Sequence, residues 1–107
     1  MFLLFIEIPE FLITPQNRQV TIGSTVELEC KAKGPPNLVI SWQLNGVSNF
    51  PAIQEKRWHV EPAHSVTFIS DVQKVDEGIY SCIATNKDGS VTSSATVTVL
   101  GWFLFCY

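Results

Sequence analysis

The most regular alternation in the chain runs from Gly78 to Thr85. In an extended backbone Tyr80, Cys82 and Ala84 share one side there, and Ile79, Ser81 and Ile83 the other. A second run, Val26-Glu27-Leu28-Glu29-Cys30-Lys31-Ala32, alternates apolar and charged positions and predicts a strand over Thr25 to Lys33 with Val26, Leu28, Cys30 and Ala32 inward. The apolar run from Leu38 to Leu44 carries Ile40 and Trp42, and Ser90 to Leu100 reads as a final strand with Ala95, Val97 and Val99 inward. Period two, repeated between turn clusters, predicts an all-β chain.

Weaker patterns fill the gaps. Phe11 to Thr14 reads as an edge strand ended by Pro15, which cannot donate to a ladder, and the chain resumes as Arg18 to Ile22. Gly23-Ser24, Gly34 to Asn37, Asn45-Gly46, Pro62 to His64 and Asn86 to Gly89 are turn signals. Val47 to Lys56 has no period and contains Pro51, so it reads as a short irregular edge. Arg57 to Glu61 is expected to be a strand with Val60 inward. In Ser65 to Ser70, Val66, Phe68 and Ile69 cannot all share one face, and Val72 to Glu77 forms a corner.

The order Cys30, Trp42, Asp76-x-Gly78-x-Tyr80-x-Cys82 is the signature of an immunoglobulin sandwich. Gly23 before Val26-x-Leu28-x-Cys30, Lys33-Gly34-Pro35-Pro36 before the tryptophan, and Ala84 to Gly89 after the second cysteine add detail, and residues 9–100 resemble an immunoglobulin-like domain of the I-set. The resemblance implies an immunoglobulin-like β-sandwich of two antiparallel sheets, joined by one Cys30–Cys82 disulfide with Trp42 packed on it. It also implies a Tyr80 hydroxyl that anchors the corner, a core that includes Leu28, Ile40 and Ile69, and a first strand that crosses between sheets at Arg18 to Ile22. Family spacing counted back from Cys82 places Ile69 and Val72 inside and leaves Phe68 exposed unless a bulge intervenes. Asp76 is expected to pair with a basic residue at the base of the sandwich, Arg57 ahead of Lys56, since a guanidinium fork fits a carboxylate bidentately. Closing a loop of roughly 50 residues with the disulfide stabilises the fold by about 4 kcal/mol in the chain-entropy model.

Size and charge narrow the function. A chain of 107 residues holds one such domain, and a net charge of −3 without a Lys/Arg run argues against nucleic acid. His59 and His64 have no ligand cluster at metal spacing, no serine lies in Gly-x-Ser-x-Gly, and no glycine-rich turn opens a helix, so neither catalysis, nor a metal, nor a cofactor, nor a small-molecule substrate is expected. Three cysteines leave Cys106 over as a free thiol, and a disulfide persists in an oxidising compartment. The flanks 1–8 and 101–107 are apolar, too short to span a bilayer, and lie outside the family pattern. They read as pieces of a signal or membrane segment, as strands extended into a partner, or as sequence outside the mature protein, such as translated intron edges; they are expected to be dispensable for folding.

Function is therefore expected on the surface. Val39, Ile79 and Ile83 fall outward on the tryptophan-bearing sheet, and no Asn-x-Ser/Thr sequon places glycan there. The resemblance points to a non-catalytic recognition and adhesion module, one domain of a larger extracellular or membrane-anchored protein, in the company of neural cell-adhesion molecules, roundabout-type receptors and peroxidasin-like matrix proteins. The expected partners are another immunoglobulin-superfamily or matrix protein and the neighbouring domains of the parent chain, with a membrane reached only through the parent or the flanks. The alternative is an intracellular scaffold of the sarcomeric type with reduced cysteines.

Overall fold

The computed structural model describes residues 6–61 and 65–101. The turn at 62–64, with His64, and the flanking segments 1–5 and 102–107, with Cys106, lie outside the described residues. Among the described residues, nine strands form two layers. In chain order they are β1 (Glu10–Ile13), β2 (Arg18–Thr21), β3 (Val26–Glu29), β4 (Lys31–Lys33), β5 (Val39–Leu44), β6 (Trp58–Glu61), β7 (Val66–Ile69), β8 (Gly78–Asn86) and β9 (Gly89–Leu100).

One layer has the order β3-β7-β6, with β1 paired to β4 beside it. β3 and β4 are one stretch of chain interrupted at Cys30, whose N–H donates to the Ser65 carbonyl at 3.0 Å. The other layer has the order β2-β9-β8-β5. The first strand does change sheets: β1 runs antiparallel to β4, the chain passes the buried Pro15, and β2 joins β9 in parallel, Val20 opposite Val99.

The inner faces follow from alternation. Val26 and Leu28 of β3, Ile69 of β7, Tyr80 and Cys82 of β8, and Val97 and Val99 of β9 are all buried. Register in β7 is settled by Thr67, which is buried with Ile69 and donates to the Leu28 carbonyl at 3.2 Å. Phe68 accordingly lies on the outer side, half-buried against the His59 ring at 5.1 Å between centroids. A buried threonine is tolerated there because its hydroxyl has an acceptor.

Two inward expectations are corrected. Ile40 is 38% exposed and Val60 55% exposed, although each shares a face with a core tryptophan, Trp42 and Trp58. Both line a cleft of about 430 Å³ at the margin between β5 and β6. Parity puts a side chain on the inner face, but only a facing side chain buries it, and among the described residues these two layers do not close over that margin.

The aperiodic segment is the larger surprise. It contains a single helical turn, α1 (Pro51–Gln54), with Pro51 in the first turn where its missing N–H costs nothing. That turn puts Phe50 and Ala52 into the core, at 2% and 0% exposure. Phe50 packs edge-on against Trp58 (5.0 Å) and Tyr80 (5.7 Å), and Trp58 meets Trp42 edge-on at 5.8 Å. The rings of Trp42, Phe50, Trp58 and Tyr80 thus pack on one another within a single core that also holds the aliphatic side chains of both layers.

Candidate interaction surface

Cys30 and Cys82 are bonded, with Cα atoms 6.6 Å apart and a sequence separation of 52. Trp42 stands opposite Cys82 in the β5–β8 ladder, which places its ring on the disulfide's face. These groups, with Leu28, Ile69 and Tyr80, belong to one buried cluster, from which Ile40 is absent. They fix the two layers relative to each other and so set the shape of what lies outside them.

At one end of the sandwich a 3-10 turn, Lys74–Asp76, brings Asp76 inside. Its carboxylate is fully buried and accepts Arg57 Nη1 at 2.6 Å and Nη2 at 3.0 Å, while the Gln73 N–H donates at 2.7 Å. Arg57 also donates from Nε to Glu55 at 2.9 Å, and the Asp76 hydrogen bond holds its guanidinium pKa above the ordinary value against the opposing effect of burial. Tyr80 Oη donates to the Asp76 carbonyl at 2.5 Å, and burial followed by the Asp76 charge pushes its phenol pKa up. Among the described residues no buried side-chain polar atom of this base lacks a partner, so its chemistry is directed inward and stabilises the corner. Lys56, the other basic candidate, is exposed.

The outer face of β2-β9-β8-β5 has the opposite character. Ladder register places Val39, Ser41 and Gln43 beside Thr85, Ile83 and Ser81, and Ile79, Ser81 and Ile83 beside Thr96, Ser94 and Thr92. Val39 is 59% exposed, Ile79 is 50% exposed, and Ile83 is half-buried. Val39 and Ile83 are diagonal neighbours across β5 and β8, whereas Ile79 is separated from Ile83 by Ser81. The apolar groups therefore share the face without forming one continuous patch. Ser81 and Ser94 hydrogen-bond to each other at 2.8 Å in the middle of it.

At one end of this sheet, the β8–β9 hairpin holds the incoming chain. Asn86 Nδ2 donates to the Glu7 carbonyl at 2.8 Å, and the Glu7 N–H donates to the Asp88 carboxylate at 3.0 Å. Asn86 Oδ1 also accepts the Asp88 and Gly89 N–H groups at 2.8 and 3.2 Å, so one amide closes the turn and fixes the segment before the first strand. His59 contacts Ser70 Oγ at 3.1 Å and the Phe68 ring, and among the described residues no cluster of His, Cys, Asp and Glu suited to a metal is present. Sequence reasoning missed Phe50 and Trp58, and although it placed a turn at Asn86 to Gly89 it did not foresee that the Asn86 side chain also holds Glu7.

The profile of the Immunoglobulin I-set domain matches residues 9–99. Among curated proteins, the chain is 46% identical over 94 residues to "Leucine-rich repeats and immunoglobulin-like domains protein 2" of Mus musculus, covering 88% of this chain and 9% of that protein. It is 41% identical over 95 residues to "Vascular endothelial growth factor receptor 1" of Homo sapiens, covering 89% of this chain and 7% of the receptor. The chain thus spans less than a tenth of the relatives' length. Among solved structures, a chain from the crystal structure of a titin and obscurin-like 1 immunoglobulin complex superposes with a TM-score of 0.77 at 28% identity, covering 88% of this chain and 95% of that one. A chain of extracellular domains 3–5 of Drosophila OTK superposes at 0.75 with 25% identity, covering 86% of this chain and 31% of that one.

Proposed function

Given that this chain belongs to the immunoglobulin I-set family, we propose that it is a non-catalytic protein-recognition module, one domain of a larger extracellular or membrane-anchored protein. The observation that carries this reading is the outer face of β2-β9-β8-β5, where Val39 and Ile79 stay exposed among hydroxyl side chains on a rigid, disulfide-braced sheet. Small uncharged groups on a rigid scaffold lose little entropy and little hydration when a partner covers them. The likeness to a growth-factor receptor and to a protein named for leucine-rich repeats and immunoglobulin-like domains supports an extracellular setting, as does the disulfide.

The test is multivalent binding of the oxidised chain, displayed on fluorescent beads, to a panel of cells. Ile79→Glu and Val39→Glu should reduce binding at least tenfold, and Lys31→Glu, on the exposed side of the opposite layer, should not. Equal binding by all four chains, or binding by none, contradicts the reading.

A second reading keeps some support because a titin and obscurin-like 1 complex supplies a close fold match. In that reading the domain is a scaffold unit of an intracellular protein and Cys30 and Cys82 are thiols. The redox state of the protein from its native source separates the two.

A further inference from the structure

The strands β2, β5, β8 and β9, of 4, 6, 9 and 12 residues, contain one formally charged side chain, Arg18. Arg18 turns away from the outer face, its Nε donating to the Glu27 carbonyl of the opposite layer at 3.2 Å. Every other Lys, Arg, Asp and Glu of the chain lies in loops and turns or on the first layer, where Glu10, Glu27, Glu29 and Glu61 outnumber Lys31 and Lys33. A molecule of net charge −3 thus presents one face with no charge at all.

Resting on the recognition reading above, we propose that this face pairs with the same face of a second copy of the chain, about a two-fold axis near Ser81. Like charges set against each other across an interface cost several kcal/mol, and two equally charged copies avoid that cost when they meet through a face that carries none. Polar groups on the face are partly satisfied in advance: Ser81 and Ser94 bond to each other and give up little on losing water. At about 3.4 Å per residue and about 4.8 Å between strands, the four strands offer a face of about 500 Å² on each copy. Two such faces bury on the order of 1,000 Å², which is the lower bound of a specific interface and suits a weak contact that becomes effective when many copies are held together.

A residue near a two-fold axis meets its own copy, and this gives the test. Ser81→Lys and Ser81→Glu each place like charges together in a self-pair, whereas a mixture of the two places opposite charges together. Sedimentation velocity of the full oxidised chain should show a weight-average mass that rises towards the dimer between about 10 μM and 1 mM, as a weak pair requires. Each Ser81 variant should shift that rise to at least tenfold higher concentration, and an equimolar mixture should restore it. Thr92→Glu, on the same face and away from the Ser81–Ser94 bond, should reproduce the loss, so the result does not depend on one variant's folding. A wild-type chain that stays monomeric throughout, variants that associate like the wild type, or a mixture that fails to recover overturns the proposal. In the bead assay, Ile79-dependent cell binding by a chain that never self-associates removes the pairing and keeps the recognition reading. Self-association without cell binding does the reverse.

Discussion

Arg57 and Asp76 meet in a two-pronged pair, Nη1 to Oδ2 at 2.6 Å and Nη2 to Oδ1 at 3.0 Å, with the carboxylate wholly buried and the guanidinium nearly so. The pair ties the loop before β6 to the corner before β8, two segments that carry no strand pairing to each other. Removing one partner leaves the other charged and buried, which costs far more than an exposed ion pair contributes. Asp76→Ala should therefore destabilise the domain by about 3 to 5 kcal/mol in urea unfolding, and Arg57→Ala with Asp76→Ala should cost less than the sum of the two singles. A loss below about 0.5 kcal/mol would mean that water reaches the pair.

Phe50 gives a second prediction. It is buried against Trp58 and Tyr80, so Phe50→Ala should cost about 3 to 5 kcal/mol, whereas Val47→Ala, three residues earlier on exposed chain, should stay within about 0.5 kcal/mol. Equal effects at the two positions would contradict the packing.

That contrast shows where the sequence was legible. Val26, Leu28, Cys30, Tyr80, Cys82, Val97 and Val99 could be placed because the inward positions recur at every second residue through Val26 to Ala32, Gly78 to Thr85 and Ser90 to Leu100, stretches long enough for period two to show. Phe50 and Ala52 could not, because one helical turn is too short for a period to show and the neighbouring Ile53 and Val47 are equally apolar but exposed. Ile40 and Val60 illustrate the other limit: alternation states which face a side chain is on, and burial depends on what the facing layer supplies. The charge-free outer face was visible only in part, since Val39, Ile79 and Ile83 can be read from β5 and β8 alone, but its extent depends on β2 and β9 being joined to them.

Glu77 supplies a pH dependence. Its carboxylate accepts the Val99 N–H at 2.9 Å and the Lys74 ammonium at 3.0 Å, the backbone bond being the larger influence, and its pKa lies below the ordinary 4.5. Because the folded pKa is depressed, the contribution is present in full above the unfolded value and is lost as pH falls through the folded one. Asp88, lowered first by the Glu7 N–H and then by Lys87, acts in the same sense. The melting temperature should thus be level above about pH 5 and fall below it. Glu77→Gln should melt lower at neutral pH and show a shallower fall in acid; a fall as steep as the wild type's would remove Glu77 from the account.

The segment before β1 yields a fourth prediction. We propose that the folding unit is carried by residues 9–100, and that Glu7 adds to it through Asn86 and Asp88. One exposed and one part-buried hydrogen bond contribute on the order of 1 kcal/mol, so a chain of residues 9–100 should melt a few degrees below one of residues 6–101, and the 6–101 chain should match the full sequence. A drop of more than about 8 °C on removing residues 1–8 and 101–107 would make the flanks part of the fold.

The account rests on a sandwich closed by Cys30 and Cys82 and placed in an oxidising compartment, and both parts are read by one measurement. Protein from its native source is denatured without reductant in the presence of a thiol alkylating reagent, digested, and analysed by mass spectrometry. The predicted result is a single species in which the Cys30 and Cys82 peptides are linked to each other and carry no alkyl group. Alkylated Cys30 and Cys82 would contradict it and favour the intracellular scaffold.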